Sequence, residues 1–149
     1  MSEWSVFIPG EPVARAEKVG RIGGFGRIID KPQVRDYKAY ARAHIAACRP
    51  DVLMDGPLTL ELTAYVTKPK SASKKRIWPD RKPDLSNILK CAEDCLSSIV
   101  IVDDARIVRH INAKHYADEQ NPPGLKIRVF TMEVLGEDCW ERAGKVCAI

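Results

Sequence analysis

No stretch of the 149 residues stays apolar for the ~18 positions that a membrane-spanning helix needs. Met1-Ser2-Glu3-Trp4 also lacks the basic start and apolar core of a secretory signal, so a cytoplasmic protein without membrane contact is expected. The five cysteines, Cys48, Cys91, Cys95, Cys139 and Cys147, form no CxxC pair. Their spacing gives no support to a zinc site, and free thiols are expected. His44, His110 and His115 are scattered, with no HxxxH pair to suggest a zinc hydrolase. The glycines between 10 and 31 do not follow GxGxxG, and Ser97-Ser98 has no G-x-S-x-G setting. Dinucleotide binding and serine acyl transfer are therefore disfavoured. No internal repeat and no second domain are visible.

Charge is present, and it is clustered. The net charge is only +4. However, Lys68, Lys70, Lys74, Lys75, Arg76, Arg81 and Lys82 crowd one segment, and Arg15, Lys18, Arg21 and Arg27 another. Such blocks face either a polyanion or plain solvent.

Periodicity marks the elements. Trp4, Val6 and Ile8 alternate with polar or outward residues up to Pro9-Gly10, predicting a strand. Residues 10–31 read as a mobile basic loop or hairpin. Pro32 opens a helix to about Cys48. Leu58–Val66 alternates as a half-buried strand. A basic loop, Lys68–Lys82, leads to a second helix near Pro83 or Asp84, with Leu85, Leu89, Ala92 and Leu96 on one face and Asn87, Lys90 and Asp94 on another. Ile99–Val102, Ile107–Tyr116 and Leu125–Val134 read as strands. The division is a domain over 1–134 and a weakly specified tail over 135–149.

The chemistry-bearing stretch is Lys82-Pro83-Asp84-Leu85-Ser86-Asn87-Ile88-Leu89-Lys90, followed by Asp94 and Asp103-Asp104. Asp84 either caps its helix or offers a ligand; Asp103 and Asp104 either mark a turn or do the same. A helix entrance and a strand end can bring Asp84 and Asp104 to one spot, where hard oxygen ligands suit Mg²⁺. Lys90, about two turns into the helix, would neutralise charge developing on a phosphate. Trp78 in the basic loop either stacks on a base or anchors the loop to the core. Asp94 shares the polar face of Lys90, which favours a structural ion pair.

These residues resemble the RusA-like Holliday junction resolvases. Members carry a KPDLDNxxK segment, an acidic pair about ten residues beyond that helix, and a later K-x-Y; this chain has Lys82 to Lys90, Asp94-Cys95-Leu96, Asp103-Asp104-Ala105-Arg106-Ile107-Val108 and Lys114-His115-Tyr116. The opening Ile8-Pro9-Gly10-Glu11-Pro12-Val13 fits too, and the resemblance spans roughly residues 4–132. It implies an α+β fold, a small mixed β-sheet with two main helices, in a homodimer. It implies a Mg²⁺- or Mn²⁺-dependent endonuclease that resolves four-way junctions in recombination and repair. Carried over residue by residue, Asp84, Lys90 and Asp104 are catalytic. Asp84, Asp103, Asp104 and Ser86 form the metal set, and Asn87 supports it. Arg15, Lys18, Arg21, Arg27, Lys74, Lys75, Arg76, Arg81 and Lys82 meet DNA. Compact resolvases of this type often travel with phages.

Ser86 departs from the pattern, which has a second carboxylate there. Losing that charge weakens cation binding, so the chain is an active variant with a rearranged site, a weakened relative that holds branched DNA without cutting, or an altered form in which a catalytic acid has been replaced to preserve a DNA complex. Asp103, Asp94 and Asp80 are the candidates to compensate.

Overall fold

Alternating side chains build the central sheet of the computed structural model, which describes residues 2–22 and 24–132. Strand β1 (Glu3–Pro9) buries Trp4 and Ile8. Strand β4 (Leu58–Val66) buries Leu58, Leu60, Leu62, Ala64 and Val66, and β6 (Gly124–Thr131) buries Leu125, Ile127 and Val129. A period of two sends each set to one face. With β5 (Ile107–Tyr116) the order is β1-β6-β4-β5. β6 is antiparallel to β1 and β4, whereas β5 runs parallel to β4. The sheet is therefore mixed, as expected.

A parallel pair needs a crossover, and helix α2 (Leu85–Leu96) supplies it between β4 and β5. Helix α1 (Pro32–Ala47) lies beside α2 on the same face, with Pro at its first turn. Trp4 Nε1 donates to the Cys48 carbonyl at 2.7 Å, satisfying one of the acceptors left free at the end of α1. The buried face of α2 is Ile88, Cys91, Ala92, Cys95 and Leu96, while Leu85 and Leu89 are only partly buried. The apolar stripe is thus rotated from the one predicted. Cys91 and Cys95 act as small hydrophobes in the interior, which agrees with free thiols.

Residues 10–31 hold a hairpin, β2 (Glu17–Ile22) with β3 (Phe25–Asp30), turning at Gly24 with φ +83°. It forms its own two-stranded sheet, apart from the main one. The predicted strand Ile99–Val102 is not a strand: Ile101 makes only isolated bridges to Met54 and Ser97. The last strand ends at Thr131 rather than Val134. The tail 135–149, with Cys139 and Cys147, lies outside the described residues, as do the side chains of Lys18, Arg21 and Arg27.

Candidate active site and nucleic-acid interface

Asp84 stands at the N-cap of α2 with extended backbone angles, yet its carboxylate makes no capping hydrogen bond. It is exposed, and so are Ser86 and Lys90. A carboxylate at a helix mouth that leaves the amides alone is free to meet a cation or water. What fixes it is Lys114, whose Nζ donates to the Arg81 and Pro83 carbonyls at 2.7 Å each. The lysine of the K-x-Y segment thus clamps the chain just before Asp84.

Asn87 and Lys90 open on the next side of α2. They line a shallow cleft of about 280 Å³ with Arg15 and Glu17. The Arg15 amide donates to the Asn87 carbonyl at 2.9 Å, which ties the foot of the hairpin to the first turn of α2. Arg15 and Glu17 form an ion pair across the cleft wall. Glu17 is an acidic neighbour of Lys90 that sequence reasoning missed; it lies about seventy positions away and carries no motif.

Asp94 does not pair with Lys90. Lys38 of α1 donates to Asp94 Oδ2 at 2.7 Å and to Asp30 Oδ2 at 2.8 Å. Burial opposes the charge on Lys38, but these two carboxylates outweigh it and raise its pKa. Asp94 is therefore structural, and the bridge joins β3, α1 and α2. Asp80 is occupied by Arg76, whose Nε donates to it at 2.8 Å; that hydrogen bond, helped by the guanidinium charge, holds the carboxyl below its usual range. Neither acid is spare for a metal.

Asp103 and Asp104 sit elsewhere. Asp103 caps a single 3-10 turn, Asp104–Arg106, by accepting from the Ala105 amide at 2.8 Å. That bond, then a contact with the Asp104 side chain, lowers the Asp103 pKa. The turn leads into the start of β5, where Arg106 pairs with Asp55 at 2.8 Å. α2 runs antiparallel to β5: Pro83 meets Lys114 near the end of that strand, and Glu93 meets His110 at 2.7 Å further back. Asp84 and Asp104 thus lie at opposite ends of a 12-residue helix. At 1.5 Å per residue they are separated by roughly 18 Å or more. The expectation that one chain brings them to one spot is corrected, because the crossover runs the length of α2 away from Asp84 before β5 begins. Among the described residues no group of three or more His, Cys, Asp or Glu side chains is placed to share a metal ion.

The basic loop presents Lys74, Lys75, Arg81 and Lys82 to solvent. Arg76 is half-buried and paired with Asp80, so it is not a free cation. Trp78 is 58% exposed, against an anchor in the core, and its ring lies tilted by 42° against His115 with centroids 5.4 Å apart. Tyr37 packs against the core, while Tyr40 Oη donates to the Pro9 carbonyl at 2.8 Å.

No helix among the described residues is long and apolar enough to cross a membrane. The family model described as endodeoxyribonuclease RusA matches residues 9–130. The chain is also similar to an uncharacterized protein, YqaN, of Bacillus subtilis (strain 168). They are 28% identical over 121 residues, which is 74% of this chain and 85% of the relative.

Proposed function

Since the chain belongs to the endodeoxyribonuclease RusA family, we propose that it is a structure-specific endonuclease that resolves four-way DNA junctions as a homodimer, with Mg²⁺ or Mn²⁺ as cofactor. The observation that carries the reading is the uncapped Asp84 carboxylate at the mouth of α2, with Asn87 and Lys90 beside it and basic segments on both flanks. Phosphodiester hydrolysis builds negative charge on the phosphate as it proceeds. The Lys90 ammonium, exposed over the cleft, meets that charge as it grows. Lys74, Lys75, Arg81 and Lys82 neutralise backbone phosphates and hold the strand, and the clamp of Lys114 keeps Asp84 in register with it.

A divalent cation fits this chain alone poorly. One helix mouth offers Asp84 and a neutral Ser86, where a hard cation needs more anionic oxygen. No catalytic step is therefore assigned to the ion within a single subunit.

Ser86 favours a second reading, in which the protein holds branched DNA without cutting it. A junction-cleavage series in Mg²⁺ and Mn²⁺, run with the native chain, Ser86→Asp and Asp104→Asn, separates the two. The nuclease reading expects metal-dependent nicking that Asp104→Asn abolishes. A metal-independent gel shift, with no nicking by the native chain or by Ser86→Asp at any metal level, selects the binding module.

A further inference from the structure

Ile77 and Trp78 are exposed, an apolar pair set between Lys74 and Lys75 on one side and Arg81 and Lys82 on the other. Apolar surface in water beside a run of cations fits a partner that is both apolar and anionic. The end of β5 shows what Trp78 lies against. His110 and Lys114 reach α2 and the turn before it, so alternation sends His115 to the face of the sheet away from the helices. There His115 borders Trp78, and on its other side Tyr65, its register partner on β4, with centroids 6.1 Å apart and planes 30° apart. Beyond Tyr65 comes Gly124 of β6, where an added Cβ would overlap the Phe7 ring of β1. A row of aromatic rings thus crosses one end of the sheet. A cavity of about 350 Å³ opens along it, bordered by Tyr65, Trp78, His115 and Tyr116. We propose that this row is a stacking site for an unpaired nucleobase, taking a base displaced from the branch point while the cations of the loop hold its backbone.

The charges around the cavity select a base over a phosphate. Among the described residues no lysine or arginine lines it. Its one carboxylate, Asp118, is taken up by its own turn, accepting from the Asn121 amide at 2.7 Å and the Gln120 amide at 2.9 Å. Those bonds, the Asn121 amide first, hold the carboxyl below its usual range, so the rim stays anionic and turns phosphate away. Aromatic faces take any base, since every base has a π-face. The phosphate of the same nucleotide meets Lys68 instead, whose ammonium stands 5.5 Å over the Tyr116 ring at the border of the cavity. Position matters as well. Lys114 and His115 are neighbours on opposite faces of β5, and Lys114 grips the chain just before Asp84. Trp78 precedes Asp84 by six residues, roughly 20 Å at full extension. A strand seated at Asp84 and Lys90 therefore passes Arg81 and Lys82 and rounds the end of the sheet to reach Trp78 within a few nucleotides. Freeing a base costs least where pairing is already interrupted, which is the branch point. An anionic membrane also joins charge to an apolar layer, but it takes a projecting wedge, whereas these rings border a hollow with a carboxylate on its rim.

The site rests on the DNA reading but not on cleavage, so binding is measured without metal. The probes are four-way junctions with 2-aminopurine at successive positions from the crossover, and an unbranched duplex of the same length. The native chain should change the 2-aminopurine emission at one position or two adjacent ones near the crossover. Trp78→Ala should remove that change and weaken junction binding roughly 5- to 100-fold. Trp78→Phe should keep most of both, whereas Trp78→Leu, which keeps apolar bulk without a ring, should behave like Trp78→Ala. The salt slope of junction binding should be the same for Trp78→Ala and the native chain, because a stacked ring releases no counterions. Affinity for the unbranched duplex should not change in any variant. Native emission and affinity in Trp78→Ala overturn the stacking site and leave the nuclease reading standing; native behaviour in Trp78→Leu overturns it too. A native chain that binds no junction sinks the nuclease reading, and a 2-aminopurine single strand then decides the site: Trp78-dependent binding supports it and none overturns it. If Trp78→Ala loses binding to phosphatidylserine vesicles, or changes oligomeric state, with DNA affinity untouched, the surface serves a membrane or a second copy and the proposal fails.

Discussion

Ser86 leaves the mouth of α2 with a single carboxylate. Restoring a second negative charge should tighten a divalent cation there, so Ser86→Asp is expected to raise metal-dependent nicking at least tenfold; an unchanged rate in a metal titration would show that the centre works without that position. Lys90→Ala should cost on the order of 100-fold in cleavage while junction affinity holds, because the ammonium acts on charge that appears only during reaction. Single-turnover rates beside gel shifts check this. Lys114→Met strands two carbonyls that now share one donor. It should lower stability by about 1–3 kcal/mol and impair cleavage together, read by denaturant melts and the same assay. The placement of Asp84 at a helix mouth and of Lys90 further along the same helix was legible in the sequence, because the spacing of one helix is fixed. Lys114 as a clamp and Glu17 as a neighbour of Lys90 were not, since each depends on the path of a distant segment.

The hairpin β2–β3 is the most separable element. It pairs only with itself, and its foot is held by the Arg15–Asn87 bond and the Lys38 bridge to Asp30 and Asp94. Among the described residues the core takes none from β2 or β3. Replacing residues 18–29 with a short glycine-serine link should therefore leave the melting temperature within a few degrees of native while weakening junction binding; a collapse in melting temperature would show that the hairpin supports the core. Strands with strict alternation, such as Leu58–Val66, were readable directly. The buried stripe of α2 was misread because Cys91 and Cys95 were counted as thiols and not as apolar packing. Ile99–Val102 looked like a strand because a short apolar run has no period to betray it; only Val100 and Ile101 are buried.

Charge and topology act over the whole molecule. If the exposed cations meet phosphates, junction affinity should fall steeply with salt. Removing Lys74, Lys75, Arg81 and Lys82 together should flatten the logarithmic slope by roughly 3 to 4. A slope that does not change would place the DNA on another face. The mixed sheet with two helices followed from the family resemblance, and the basic flanks from the clustering of lysine and arginine. The separation of Asp84 from Asp104 did not, because sequence spacing says nothing about which end of a crossover each residue occupies.

One closure in the sheet bears on how the chain can be rewired. Ser2 and Thr131 lie side by side: the Thr131 amide donates to the Ser2 carbonyl at 3.0 Å, and the Ser2 amide to Thr131 Oγ1 at 3.1 Å. Residues so close can be spliced by a short peptide, and the chain reopened at the hairpin turn near Gly24, without moving a strand of the main sheet. Such a circular permutant would keep α2, β5 and their acidic ends in one unbroken stretch, and would offer its new termini as handles at the tip of the basic hairpin.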